Sequence, residues 1–129
     1  MAVSVPERAG AIVRKAALAA DQVAVTSTPV DTGRARANWV VSFRVPSRAQ
    51  PVKPNKEGKI TNPEGRALAQ GRSTIERWRP GSGTIWISNN VPYIVELDNG
   101  SSRQAPNGMS AAAIQAAGQV VRASRLLGR

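Results

Sequence analysis

The chain has 129 residues, of which 41% are hydrophobic, and this length fits one domain spanning residues 1–129 with a buried core. It contains neither cysteine nor histidine, which excludes disulfides and thiolate chemistry and removes the usual general base and the commonest metal ligand. Eighteen Lys and Arg residues against eight Asp and Glu residues give a net charge of +10, so we expect an anionic neighbour or partner. No apolar run reaches the roughly 18 residues of a membrane span and no signal peptide opens the chain, so we expect cytoplasmic synthesis and no membrane association.

Residues 6–25 have the pattern of an amphipathic helix. Pro6 suits a first turn, and Glu7 favours the positive end of the helix dipole. Apolar side chains recur at helical spacing and predict a buried stripe made of Ala9, Ile12, Val13, Ala16, Ala20 and Val23. The polar residues Arg8, Arg14, Lys15 and Asp21 lie off this stripe.

A capped corner follows this helix. Pro29 cannot continue a helix, and the carboxylate of Asp31 can accept backbone N–H groups just ahead of it. The corner then carries two cations, Arg34 and Arg36, before Trp39 opens an alternating run. The simplest interpretation is a connection between a helix and a strand.

Two short strands are predicted. Trp39, Val41, Phe43 and Val45 alternate with other residues, which is typical of a half-buried strand that Pro46 ends. Residues 84–88 are short and strongly apolar and form the second strand. Between the strands, residues 46–65 form a Pro- and Gly-rich basic excursion, either a loop or an irregular hairpin, which carries Lys53, Lys56 and Lys59.

The remaining elements are helices and turns. Asn62, Pro63 and Glu64 form a helix start whose buried side is Ala67, Leu68, Ile75 and Trp78, although Gly71 weakens the helix. Residues 93–97 are expected to form one or two compact turns. A last helix has the stripe Met109, Ala113, Ala116, Val120, Ser124 and Leu127, with Gly128 as its C-cap.

Three ordered motifs stand out together. They are residues 29–34 with Trp39 beyond them, residues 87–93, and residues 96–109 with the run Glu-Leu-Asp-Asn-Gly-Ser-Ser. In this order and spacing, the chain resembles the tail-completion and neck proteins of tailed bacteriophages, also described as minor tail or head–tail joining components. The resemblance covers about residues 8–125, and the excursion at 46–65 is its least typical part.

The resemblance implies a small α+β subunit, in which N-terminal and C-terminal helices pack an antiparallel sheet. It implies a homo-oligomeric ring in the neck of the virion, hexameric rather than dodecameric, assembled in the host cytoplasm. Such a ring joins the head connector on the portal side to the tail terminator or tail tube, and it continues the channel through which DNA leaves. It implies neither catalysis nor a cofactor. Genomic DNA in the lumen is a possible non-specific contact.

Candidate site residues follow from both lines of argument. We predict a subunit or ring–ring interface at Asp31, Arg34, Arg36, Tyr93 and Glu96. Lys53, Lys56 and Lys59 are predicted to face the DNA channel or a partner, because residues 33–80 hold eleven basic and only three acidic side chains. An acid–base or metal site at Asp31, Glu96 and Asp98 is disfavoured, because the surrounding residues favour turns and caps.

A different class of function stays open. The charge also fits a small basic nucleic-acid-binding protein acting as a monomer or dimer, which would bind duplex with a steep salt dependence. A small hydrolase has little support in a chain without histidine or cysteine.

Overall fold

The computed structural model describes residues 4–28, 34–92, 94–98 and 108–127. In chain order its elements are the helix α1 (Ser4–Ser27), the short helix α2 (Arg34–Ala37), the strand β1 (Trp39–Phe43), the helix α3 (Pro63–Glu76), a 3-10 turn (Pro80–Ser82), the strand β2 (Ile85–Asn89), the short helix α4 (Ile94–Asp98) and the helix α5 (Met109–Leu127). The strands pair antiparallel and helices pack against them, which confirms the predicted α+β fold.

The register of the two strands decides which side chains face the helices. Val41 lies opposite Ile87, and Trp39 lies opposite Asn89, so their side chains project from the same face. Trp39 and Val41 are buried on this face. The opposite face carries Trp86, which is 39% exposed.

One core cluster joins both ends of the chain. It combines residues from α1, β1, α3 and α5, namely Ala20, Ala24, Val25, Trp39, Ala67, Met109 and Ala113. Helices α1 and α5 have the most extensive contact of any two elements, while α3 contacts β1 more than either of them does. Small alanine side chains let the two terminal helices approach closely.

The first strand is shorter than the sequence pattern predicts. Arg44 has a φ of 73°, in the left-handed region, and the Val45 N–H donates to the Phe43 carbonyl at 2.8 Å. This tight turn ends the alternation, and Val45 is 66% exposed instead of sharing the buried face of β1. The extension of the strand to Val45 was therefore wrong.

The buried side of α1 also differs from the predicted stripe. Ala20 is buried as expected, but Ala9 and Val13 are exposed. Asp21, placed off the stripe, is only 2% exposed. The reason is that α1 contacts α5 and α3 on different sides, so its second half buries a wider arc than one stripe provides.

The basic excursion is a loop tied to the body of the protein. The Asn38 side chain accepts from the Val52 N–H at 2.6 Å and donates to the Val52 carbonyl at 3.2 Å. The Asn90 amide donates to the carbonyls of Ser47 and Ala49. At the C-terminal end of the excursion, the side chain of Ile60 is buried.

The helix starting at residue 63 begins as predicted. The Asn62 side chain accepts from the Gly65 N–H at 3.3 Å, with Pro63 in the first turn. Ala67, Ile75 and Trp78 are buried, and Leu68 is half-buried. In α5, Met109 and Ala113 are buried and the rest of the predicted stripe up to Ser124 is half-buried, whereas Gly128 lies outside the described residues.

Candidate functional site

The predicted interface residues divide into those that the structure describes and those that it does not. Asp31 and Tyr93 lie outside the described residues, as does the side chain of Glu96 in α4. Arg34 is the first residue of α2 and is half-buried. Its backbone carbonyl accepts a hydrogen bond from the Asn38 side-chain amide at 2.7 Å. Their role in an interface remains a prediction.

Arg36 connects three helices. Its Nε and Nη2 donate to the Thr28 carbonyl at 3.0 and 2.6 Å, and Nη2 also donates to the Thr26 carbonyl at 3.0 Å. Its Nη1 lies 3.2 Å from Oε2 of Glu64 in the first turn of α3, and the side chain is 14% exposed. Arg36 thus satisfies carbonyls left unpaired at the C-terminal end of α1, a role that the sequence did not indicate.

The three lysines of the excursion lie on a compact tip. The Oδ1 of Asn55 accepts from the N–H groups of Glu57 and Lys59, each at 3.0 Å, and the Asn55 N–H donates to the Lys59 carbonyl at 2.7 Å. Lys53, Lys56 and Lys59 are all exposed around this turn. The tip therefore presents three cations close together, with Glu57 as the acidic residue among them.

Asp98 serves as a cap. Its Oδ1 accepts from the Ser110 N–H at 2.7 Å, in the first turn of α5. Gly108, with a φ of 86°, brings the chain against the Asp98 carbonyl, and a β-carbon there would overlap that oxygen. Of the three acidic residues considered for chemistry, Asp98 is the one whose side chain is described, and it has this local role.

An apolar groove runs beside the sheet. Its cavity of about 260 Å³ lies between α1, α5 and the strands and is lined by Ala20, Ala24, Trp39, Ile87, Ser110, Ala113, Ile114 and Ala117. Ile114 at its rim is 72% exposed. A second cavity of about 210 Å³ shares Trp39, Ile87 and Ser110 and continues toward α4.

The outer edge of β2 borders this groove. Gln70 occupies the outer edge of β1 at Val41, so the Val41 backbone groups point away from β2. In an antiparallel pair, the groups of the opposite residue, Ile87, then point away from β1. Among the described residues β2 has β1 as its single strand neighbour.

A third cavity, the acid pocket, lies between α1 and α3. It has a volume of about 410 Å³ and is lined by Leu18, Asp21, Gln22, Leu68, Ala69 and Arg72. The lining residues recur at helical spacing, three on each helix, so two helix faces form opposite walls. Asp21 lies at its base, and its Oδ1 has no hydrogen-bond partner within the described part of the chain.

Burial dominates the electrostatics of Asp21. Desolvation raises the pKa of its carboxyl from 3.8 to about 7. A β-carbon at position 71 would overlap Oδ2 of Asp21, so the carboxylate occupies space that Gly71 leaves on α3. The signals in the sequence were Gly71 within a helix and the spacing of Asp21 with Ala24, Val25 and Thr28 on one face.

The acidic residues do not assemble into a metal centre in the described ranges. No group of three or more His, Cys, Asp or Glu side chains there is arranged to hold a metal ion. None of the helices described is both long and apolar enough to span a membrane.

Comparisons with family models, with curated proteins and with solved structures find no match.

Proposed function

We propose that this chain is a structural subunit of a tailed-phage neck. Copies of it form a homo-oligomeric ring, a hexamer in preference to a dodecamer, between the head connector on the portal side and the tail terminator or tail tube. The ring continues the DNA channel of the virion after assembly in the host cytoplasm. Its work is mechanical, and no catalysis is proposed.

The support comes first from the combination of ordered motifs and fold. The resemblance implies helices at both ends of the chain around an antiparallel sheet. The protein has this arrangement: α1 and α5 pack together, and the two-stranded sheet joins the same core. Agreement between three ordered sequence motifs and this architecture is the observation on which the proposal depends.

The surface of the subunit also suits assembly into a ring. Closed rings form by head-to-tail contacts, so each subunit needs two unlike surfaces. The open edge of β2 with the apolar groove is one such surface. The acid pocket between α1 and α3 differs from it in holding the buried Asp21 between apolar walls, and it is the second.

The alternative is a basic nucleic-acid-binding protein that acts as a monomer or dimer. The exposed cations of the excursion tip favour it, because Lys53, Lys56 and Lys59 could neutralise phosphates. In the neck proposal, the same tip faces the lumen or an acidic face of an adjacent ring. The two proposals differ in what the isolated protein does with DNA.

The deciding experiment is light scattering of the purified protein, alone and with sheared duplex DNA at physiological salt. A ring-sized oligomer, or a monomer indifferent to DNA, supports the neck proposal. A monomer or dimer that binds duplex tightly and loses it steeply as salt rises supports the alternative.

A matched pair of triple variants identifies the contributing cations. One variant changes Lys53, Lys56 and Lys59 to Gln. The control changes the exposed Arg66, Arg77 and Arg122 to Gln, with the same loss of charge. Weaker DNA binding in the first variant alone assigns that binding to the tip.

A further inference from the structure

The acid pocket contains a buried carboxyl group that no described residue pairs with. Asp21 is 2% exposed, and its Oδ1 has no hydrogen-bond partner in the described part of the chain. A buried carboxylate without a partner is costly, so such a group is either protonated or paired with a water, ion or ligand. Asp21 lines an open cavity of about 410 Å³, which leaves room for a ligand group beside its side chain.

The lining defines the chemistry of that group. A carboxylate at the base repels phosphate, so this pocket does not bind the DNA backbone. It provides one carboxylate to a metal ion, fewer than the carboxylate-rich sites that metals prefer. Leu18, Leu68 and Ala69 instead offer apolar walls to an aliphatic stem, and the exposed Gln22 adds an amide at the rim. An aliphatic stem ending in a cation is an arginine or a lysine side chain.

A second copy of this chain is a rich source of such a group. Fourteen of the eighteen basic residues are arginines. Several of them are exposed, namely Arg44, Arg48, Arg66, Arg72, Arg77, Arg79 and Arg122. A guanidinium also pairs better with a buried carboxylate than an ammonium does, because it is planar and more weakly hydrated.

We propose that the acid pocket receives an arginine side chain from a neighbouring copy of this chain, with the Asp21 carboxylate as its counterion. The inference rests on the proposed ring of identical subunits and assigns one of its two unlike surfaces. Gly71 belongs to the site, because it leaves the space that the Asp21 carboxylate occupies. The chain's own Arg72 lines the pocket but is largely exposed, with its Nε 4.0 Å from Oε1 of Glu76.

The test compares the assembly of Asp21→Asn with that of Glu57→Gln. Both variants lose one negative charge, but Glu57 is exposed on the excursion tip. Sedimentation or native mass spectrometry over a concentration series gives the concentration of half-assembly. We expect Asp21→Asn to raise it at least tenfold and Glu57→Gln to change it less than twofold.

A second measurement keeps the test independent of the variants' stability. Methylguanidinium chloride is titrated into the wild-type protein while the methyl NMR signals of Leu18 and Leu68 are followed, with tetramethylammonium chloride as the salt control. We expect shifts with methylguanidinium in the wild type and none in Asp21→Asn. We also expect the same compound to dissociate the oligomer.

Four results overturn the proposal. The first is assembly of Asp21→Asn at wild-type concentrations, and the second is a wild-type chain that stays monomeric. The third is absence of the methyl shifts in the wild type. The fourth is tenfold tighter binding of methylguanidinium by Arg72→Gln, which would show that Arg72 fills the pocket. Rings formed equally by wild type and Asp21→Asn refute this inference and leave the neck proposal intact. The neck proposal is tested separately, by the light-scattering mass of the protein alone and with duplex DNA.

Discussion

The Gln70 side chain pairs with both backbone groups of Val41. Its Oε1 accepts from the Val41 N–H at 2.9 Å, and its Nε2 donates to the Val41 carbonyl at 3.0 Å. A side-chain amide of α3 thus takes the place of a neighbouring strand at the edge of β1. Among the described residues, Gln70 protects the edge of β1, whereas β2 has no second strand beside it.

Replacing Gln70 by Ala should destabilise the protein by roughly 1–3 kcal/mol, because it leaves the Val41 N–H and carbonyl without partners. Urea unfolding measures the change. Gln115→Ala is the matched control, since Gln115 is exposed on α5 and should change the free energy of unfolding by less than about 0.5 kcal/mol. Equal effects of the two substitutions would mean that the amide pairing contributes nothing.

Asp21 should make stability depend on pH. Its folded pKa of about 7 lies above the ordinary 3.8, so between these values the folded state holds a proton that the unfolded state has lost. The contribution of Asp21 to stability is therefore full below about pH 4, falls as pH rises, and is lost above about pH 7. The total loss is up to about 4 kcal/mol by the linkage relation.

Asp21→Asn should remove this dependence. At concentrations where the chain is monomeric, the variant should be more stable than the wild type at pH 8, and the difference should shrink toward pH 4, as measured by thermal unfolding over that range. A wild-type curve parallel to that of the variant would show that the carboxyl titrates normally. If the assembly prediction also holds, one substitution raises stability and weakens the ring.

Arg36→Ala should cost roughly 2–4 kcal/mol, because the carbonyls of Thr26 and Thr28 and the Glu64 carboxylate all lose a charged donor. Arg36→Lys should recover only part of this loss, since an ammonium cannot reproduce the forked geometry. Arg66→Ala on the exposed side of α3 is the control. Denaturant unfolding decides the matter, and a loss no greater than that of the control would show that the contacts of Arg36 do not stabilise the fold.

Two glycines near and within α5 should respond in opposite directions to alanine. Gly108 has a φ of 86° and lies against the Asp98 carbonyl, so Gly108→Ala should destabilise by about 1–3 kcal/mol. Gly118 is inside the helix, with only the mobile end of Arg122 near a new methyl, so Gly118→Ala should stabilise by about 0.5–1 kcal/mol. Melting temperatures test both, and a shift in the same direction for both variants would contradict this account.

Local patterns predicted the elements better than they predicted the contacts between them. The Asn62 cap depends on neighbouring residues, and the sequence indicated it correctly. The bonds of Gln70 with Val41 and of Arg36 with Glu64 join residues far apart in sequence, and no periodicity encodes them. The burial of Asp21 was missed although its spacing with Ala24, Val25 and Thr28 places it on a buried face, because the contact partner, Gly71 on α3, is distant in sequence.

The way the basic excursion is fastened limits how its cations can act. Asn38 and Asn90 bind its first limb, and the Asn55 turn closes its tip. Only residues 53–59 lie between the Val52 attachment and the buried Ile60, so the three lysines lie on a short turn and not on a long free segment. A long flexible segment could bind distant partners, but ordering it on binding costs conformational entropy. A short turn contacts only the subunits or DNA that assembly places beside it. In a ring, it would repeat the same three charges at regular angular intervals around the axis.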